Sequence, residues 1–96
     1  MNKEEILKIL REEKPFLQNS FGVRSIGLFG SYSKNVQTEN SDLDFFVDIN
    51  EPLAKNYFSL WDYLEKRFNK KIDLVRKGNH LRDKFINTME KEIIYA

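Results

Sequence analysis

The sequence predicts a small α/β domain, on three observations. Two β-rich apolar runs, "VRSIGLFG" and "LDFFVDI", lie on either side of one short loop. A third such run, "KIDLVR", follows a stretch in which apolar residues recur at helical spacing. The chain has 96 residues, enough for a single domain over 1–96 and too few for a second lobe.

Asn2 followed by Glu5 has the form of a capping box, and Ile6, Ile9 and Leu10 then make an apolar stripe. A first helix is expected over about residues 3 to 13, with Pro15 as its break. "VRSIGLFG" is apolar on both parities, as in a strand covered on both faces, and it ends at Gly30-Ser31. "LDFFVDI" alternates, with Leu43, Phe45, Val47 and Ile49 on one face and Asp42, Asp44, Phe46 and Asp48 on the other. One ring of the Phe45-Phe46 pair should therefore be core, and the other should line a cleft. Tyr57, Leu60, Trp61, Leu64 and Phe68 follow Pro52 at helical spacing and predict a helix over 54–68 packed on the sheet, its aromatic stripe serving the core. In "KIDLVR", Ile72 and Leu74 share a face opposite Asp73 and Val75. Gly78-Asn79 marks a turn with Asn79 as N-cap, His80 beside it reads as a solvent-facing or capping residue, and Leu81, Phe85 and Met89 give the last helix its apolar face. "EIIYA" closes the chain as a short extended tail.

Composition narrows the functions. The chain lacks cysteine, which excludes disulfides, thiolate metal sites and cysteine nucleophiles and suits an intracellular, cytoplasmic setting. A formal net charge of +1 gives no global signature of nucleic-acid binding. No apolar run approaches the roughly 20 residues of a membrane span, and the charged start "MNKEEILKILREEK" has no signal-peptide core. Charge is nevertheless segregated. Residues 21–50 carry Arg24 and Lys34 against Glu39, Asp42, Asp44 and Asp48, whereas residues 51–78 carry seven Lys or Arg against four acids. An acidic patch beside a basic one suits a metal next to a phosphate, although a solvated mixed surface explains most of these residues equally well.

The loop between the first two strands carries the chemistry. Asp42 and Asp44, two apart, project together, and paired carboxylates repel unless a cation lies between them. Oxygen-only ligands favour magnesium or manganese over zinc. Asp73 falls on the next strand with polar parity and completes a three-carboxylate cluster if the strands are neighbours. Gly30 allows close backbone approach, and the Ser31 hydroxyl with nearby amides can receive phosphate oxygens. Without G-K-[ST] the loop is not a Walker A motif, the glycines do not fit a dinucleotide fingerprint, and Phe46 stands where an EF-hand needs Asp or Asn. Asp48 lies about 13 Å along the strand from Asp44 at 3.3 Å per residue and reads as a strand-end residue. Arg24, Arg76 and Lys77 read as solvated surface.

Gly30-Ser31, ten intervening residues and Asp42-Leu43-Asp44 are similar to the G-S-x(10)-D-x-D signature of the DNA polymerase beta-like nucleotidyltransferases, and Asp73 in "KKIDLV" matches that family's third carboxylate. Over nearly its whole length the chain resembles the minimal nucleotidyltransferase (MNT) branch. The resemblance implies a small mixed β-sheet with helices packed on it, the polymerase beta palm-like fold. It implies transfer of a nucleoside monophosphate, AMP from ATP foremost, to a hydroxyl with release of pyrophosphate. Gly30 and Ser31 would hold the triphosphate, Asp42 and Asp44 would bind two Mg2+ ions (or Mn2+), and Asp73 would bind the catalytic metal and help deprotonate the acceptor. Tyr32 and Lys34 would be further nucleotide contacts. Asn35 stands where small members carry Gly, a substitution the left-handed backbone region tolerates.

Small MNT proteins resemble the antitoxins of two-gene modules whose partner is a helical HEPN-type toxin, so the resemblance implies AMP transfer to a tyrosine of such a partner. The other readings are transfer to a small molecule or an RNA end, and a non-catalytic antitoxin that blocks its partner by contact. A homodimer is compatible with so small a domain.

Overall fold

The computed structural model describes residues 1–50, 54–78 and 81–96. Pro52, Asn79 and His80, with the roles expected of them, lie outside the described residues. The elements in chain order are helix α1 (Lys3–Phe21), strand β1 (Val23–Phe29), a single-turn helix α2 (Gly30–Ser33), strand β2 (Leu43–Ile49), helix α3 (Ala54–Phe68), strand β3 (Ile72–Arg76), helix α4 (Asp83–Glu90) and strand β4 (Ile94–Tyr95). The four strands form one sheet in the order β3-β2-β1-β4. β1 runs antiparallel to β2 and β4, and β2 runs parallel to β3, so the sheet is mixed.

Register divides the sheet into two faces. Ile26 pairs with Val47, Leu28 with Phe45 and Phe45 with Leu74, while Leu43 pairs with Ile72, and all are buried. Paired residues share a face, so these side chains form one apolar surface. Ile6, Leu7, Leu10 and Leu17 of α1 and Leu60, Leu64 and Phe68 of α3 cover it, each such side chain contributing about 1.5–3 kcal/mol. The opposite face carries the rows Gly27–Phe46–Val75 and Phe29–Asp44–Asp73.

Helix α1 begins as the capping box predicts, with the Asn2 side chain accepting from the Glu5 amide at 2.9 Å. It does not stop at Pro15. Pro15 sits exposed on the solvent side, Leu17 still reaches the core, and the helix ends only at Gly22, whose left-handed φ of 69° lets its amide return to Gln18 O.

Helix α3 coincides with its predicted range, but its aromatic stripe does more than fill the core. Trp61 Nε1 donates to Ile72 O at 2.8 Å, Tyr57 Oη donates to Leu74 O, and Glu65 Oε2 accepts from the Ile72 amide at 3.1 Å. These residues, one turn apart along α3, occupy the outward-facing backbone groups of edge strand β3 and protect an otherwise open edge.

At the C-terminal side, three expectations are corrected. α4 starts at Asp83 with Arg82 at the N-cap position, so Leu81 precedes the helix. Of the expected apolar face only Met89 is buried, and Phe85 is 45% exposed. "EIIYA" is more than a tail, because Ile94 and Tyr95 pair with Leu28 and Gly27 as the fourth strand. Gly27 makes room for that segment: a Cβ there would lie 2.4 Å from Ile93 Cγ2. Phe46, the register partner of Gly27, is therefore on a covered part of its face, only 2% exposed, and lines no open cleft.

Candidate active site

The last row of the second face assembles the predicted residues. Phe29 pairs with Asp44 and Asp44 pairs with Asp73, so two carboxylates from neighbouring parallel strands stand side by side. Asp42 precedes β2 in the loop and is half-buried beside them. Burial of Asp44, then the charges of Asp73 and Asp42, raise its pKa from the ordinary carboxylate value to about 6. Among the described residues no three acids, histidines or cysteines are closed into a ready metal cage. The charge and donor chemistry nonetheless fit a hard divalent cation: hard oxygen donors crowd together with their repulsion uncompensated.

Gly30 touches this cluster. Its φ is +74°, and a Cβ would fall 2.1 Å from Asp44 Oδ2, so both backbone conformation and space require glycine. Ser31 follows, half-buried, at the start of α2. Ser33 Oγ donates to Gly30 O at 2.8 Å and ties the turn to itself. Asn35 adopts φ 62°, so it takes the left-handed conformation expected of the residue replacing Gly, and the Val36 amide closes back on Ser31 O at 3.0 Å.

Two expected nucleotide contacts stand differently. Tyr32 belongs to the hydrophobic core at 5% exposure, with Lys70 Nζ 5.7 Å from its ring centroid, and it offers little surface to a ligand. Lys34 is exposed, and its Nζ is 2.9 Å from Glu92 Oε1. Arg24 lies toward the other end of β1 and faces Asp48 at 3.8 Å, which keeps both away from the Gly30 turn.

Glu92 and Lys70 escaped the sequence reading, and Tyr57 entered it only as part of the core stripe of α3. Burial and then the Asp73 carboxylate push the Tyr57 phenol above its usual pKa, which sets Tyr57 near the site. Lys70 Nζ donates to Glu39 O at 3.3 Å, bracing the loop that carries Asp42. Each contact joins residues more than 15 positions apart, and no local spacing signals it.

Comparisons with known proteins place the chain in a family. The family described as "Polymerase beta, Nucleotidyltransferase" matches residues 5–96. The protein adenylyltransferase MntA of Thermococcus cleftensis is 40% identical over 94 residues, spanning 97% of this chain and 94% of that one. A solved minimal nucleotidyltransferase shares the fold with a TM-score of 0.81 and 25% identity, over 98% of this chain and 95% of its own. A chain in a crystal structure of a toxin-antitoxin with AMP-PNP has a TM-score of 0.64 and 26% identity, over 99% of this chain and 72% of its own.

Proposed function

Because the chain belongs to the polymerase beta nucleotidyltransferase family, we propose that it is a protein adenylyltransferase that moves AMP from ATP onto a tyrosine hydroxyl of a HEPN-type toxin and so acts as that toxin's antitoxin. One observation carries the reading: Asp44 and Asp73 stand in register on adjacent strands with Asp42 close by, directly against the only residue type that fits at Gly30. The relative named as an adenylyltransferase and the toxin-antitoxin holding an ATP analogue support the nucleotide and the partner class.

Each residue has a role in this scheme. Asp42 and Asp44 would hold two Mg2+ ions, with Mn2+ as a substitute, and Asp73 would share the catalytic one. When bound, the ions would neutralise the phosphates and lower the pKa of the attacking hydroxyl. Asp73, the most exposed carboxylate of the row, would take the proton of the acceptor hydroxyl. Gly30 and Ser31 receive the triphosphate through backbone amides and the serine hydroxyl, and Lys34 meets the pyrophosphate end. Among the described residues no helix is long and apolar enough to cross a membrane, and we place the reaction in the cytoplasm.

The test is transfer of label from α-labelled ATP to a purified HEPN-type partner. Labelled partner and released pyrophosphate with the parent, and neither with Asp44→Asn, are expected. Label appearing equally with Asp44→Asn would refute the assignment.

A further inference from the structure

One lysine touches both ends of the loop that joins the Gly30 turn to the first aspartate. Lys70 Nζ lies 5.7 Å from the ring centroid of Tyr32, which follows Ser31, and 3.3 Å from Glu39 O, shortly before Asp42. We infer that Lys70 is a positioning residue for the metal site, holding Asp42 beside Asp44 and Asp73. The inference rests on the nucleotidyltransferase reading and adds to it a side chain that lies outside the carboxylate and Gly-Ser motifs.

Asp42 needs such a hold more than its partners do. Asp44 and Asp73 lie within paired strands, and the register of the sheet sets where they stand. Asp42 precedes β2, at the end of residues 34–42, which form no helix or strand. Its charge and that of Asp44 repel, so an untethered loop would carry Asp42 away from the row. Lys70 opposes that drift from outside the row. The loop transmits the hold because it closes on itself: the Thr38 amide donates to Ser41 Oγ at 2.9 Å, and the Ser41 amide donates to Thr38 O at 3.1 Å. Glu39 lies inside this turn and Asp42 leaves it, so fixing one carbonyl fixes the turn as a unit.

The other end of the tether is firm. Asn69 takes a left-handed φ of 49° just after α3, and the Lys70 amide donates back to Glu65 O at 3.3 Å. Lys71 O accepts from the Leu43 amide at 3.1 Å, and the Ile72 amide donates to Glu65 Oε2 at 3.1 Å. The same backbone enters β3 and carries Asp73. Lys70 thus ties the Gly30 turn, the Asp42 loop and the Asp73 strand to one point.

The other reading of Lys70 is a direct phosphate contact. Lys70 is half-buried over a ring that is itself only 5% exposed, whereas its neighbour Lys71 carries the same charge in the open. With a carbonyl and an aromatic face both engaging the ammonium, its charge is directed at protein groups.

Mn2+ titration of the full chain, read from the electron paramagnetic resonance of the free ion, tests this for the parent, Lys70→Met, Lys70→Arg and Lys71→Met. The Mg2+ dependence of AMP transfer is measured alongside. Lys70→Met keeps an apolar stem over Tyr32 and removes the charge. It should weaken Mn2+ binding about tenfold and raise the Mg2+ needed for half-maximal transfer by a similar factor, with KM for the protein acceptor within about twofold, as loss of a residue supporting a metal ligand does. Lys70→Arg should recover most of the loss, because it returns a cation to the carbonyl and the ring. Lys71→Met should match the parent. Mn2+ affinity that is equal, or equally absent, in Lys70→Met and the parent would overturn the inference while AMP transfer stands, as would an equal weakening by Lys71→Met. Metal-free tripolyphosphate binding weakened by Lys70→Met as much as Mn2+ binding would make Lys70 a phosphate ligand and overturn it too. A parent that neither binds Mn2+ nor transfers AMP would refute the underlying reading as well.

Discussion

Asp44 holds its charge at a cost that only a bound cation removes. Its pKa of about 6 means that the folded chain takes up a proton more readily than the unfolded one. The associated stability is present below about pH 4 and is lost as pH rises through about 6. Asp44→Asn should therefore stabilise the metal-free protein at pH 7 to 8 by about 1–2 kcal/mol, after discounting for solvent screening, with no gain near pH 4. Thermal melts at both pH values check this, and added Mg2+ should raise the Tm of the parent more than that of the variant. Gly30 is under the opposite constraint. An alanine Cβ would meet the Asp44 carboxylate at a left-handed φ, so Gly30→Ala should displace that carboxylate and cut transfer by ~100-fold. Retained far-ultraviolet dichroism with lost transfer would identify this as a site defect. Asn35 shows how far residue chemistry alone reached: its tolerance of the left-handed region was legible, and φ 62° is what the structure has. Tyr32 shows the limit, since a residue next to Ser31 turned inward to a core that no local pattern described.

At the scale of elements, periodicity identified α3, β2 and β3 because apolar residues recur at a regular period along each. Parity also put Asp44 and Asp73 on one face, and the parallel β2–β3 pairing made them neighbours. α1 outran its predicted end because a proline on the solvent side removes one hydrogen bond without breaking the buried stripe, and Gly22 supplied the true stop. β4 was hidden by its brevity: two residues carry no period, and only pairing with β1 makes them a strand. Trp61 belongs to this scale as well, because its indole serves an edge of the sheet. Trp61→Phe should keep the packing but strip the donor from Ile72 O, costing about 1 kcal/mol in chemical denaturation with an unchanged m-value. A loss below a few tenths would mean that water replaces the indole.

The whole molecule sets its two faces to different tasks. α1 and α3 close one side of the sheet into the core, while the other side carries the carboxylate row and the groove under α4. On that other side Asp73 is exposed. Net charge near zero was legible as the absence of a nucleic-acid signature, and a protein acceptor agrees with it. The partner itself was legible only through family resemblance, because a surface met by another protein leaves no periodic trace in this chain. The most direct measurement is the intact mass of a HEPN-type partner purified after co-expression with this protein or with its Asp42→Asn, Asp44→Asn variant. Mass increments of whole AMP units with the parent and none with the variant are predicted. A partner that binds the parent tightly yet stays unmodified would contradict adenylyl transfer as the mode of neutralisation.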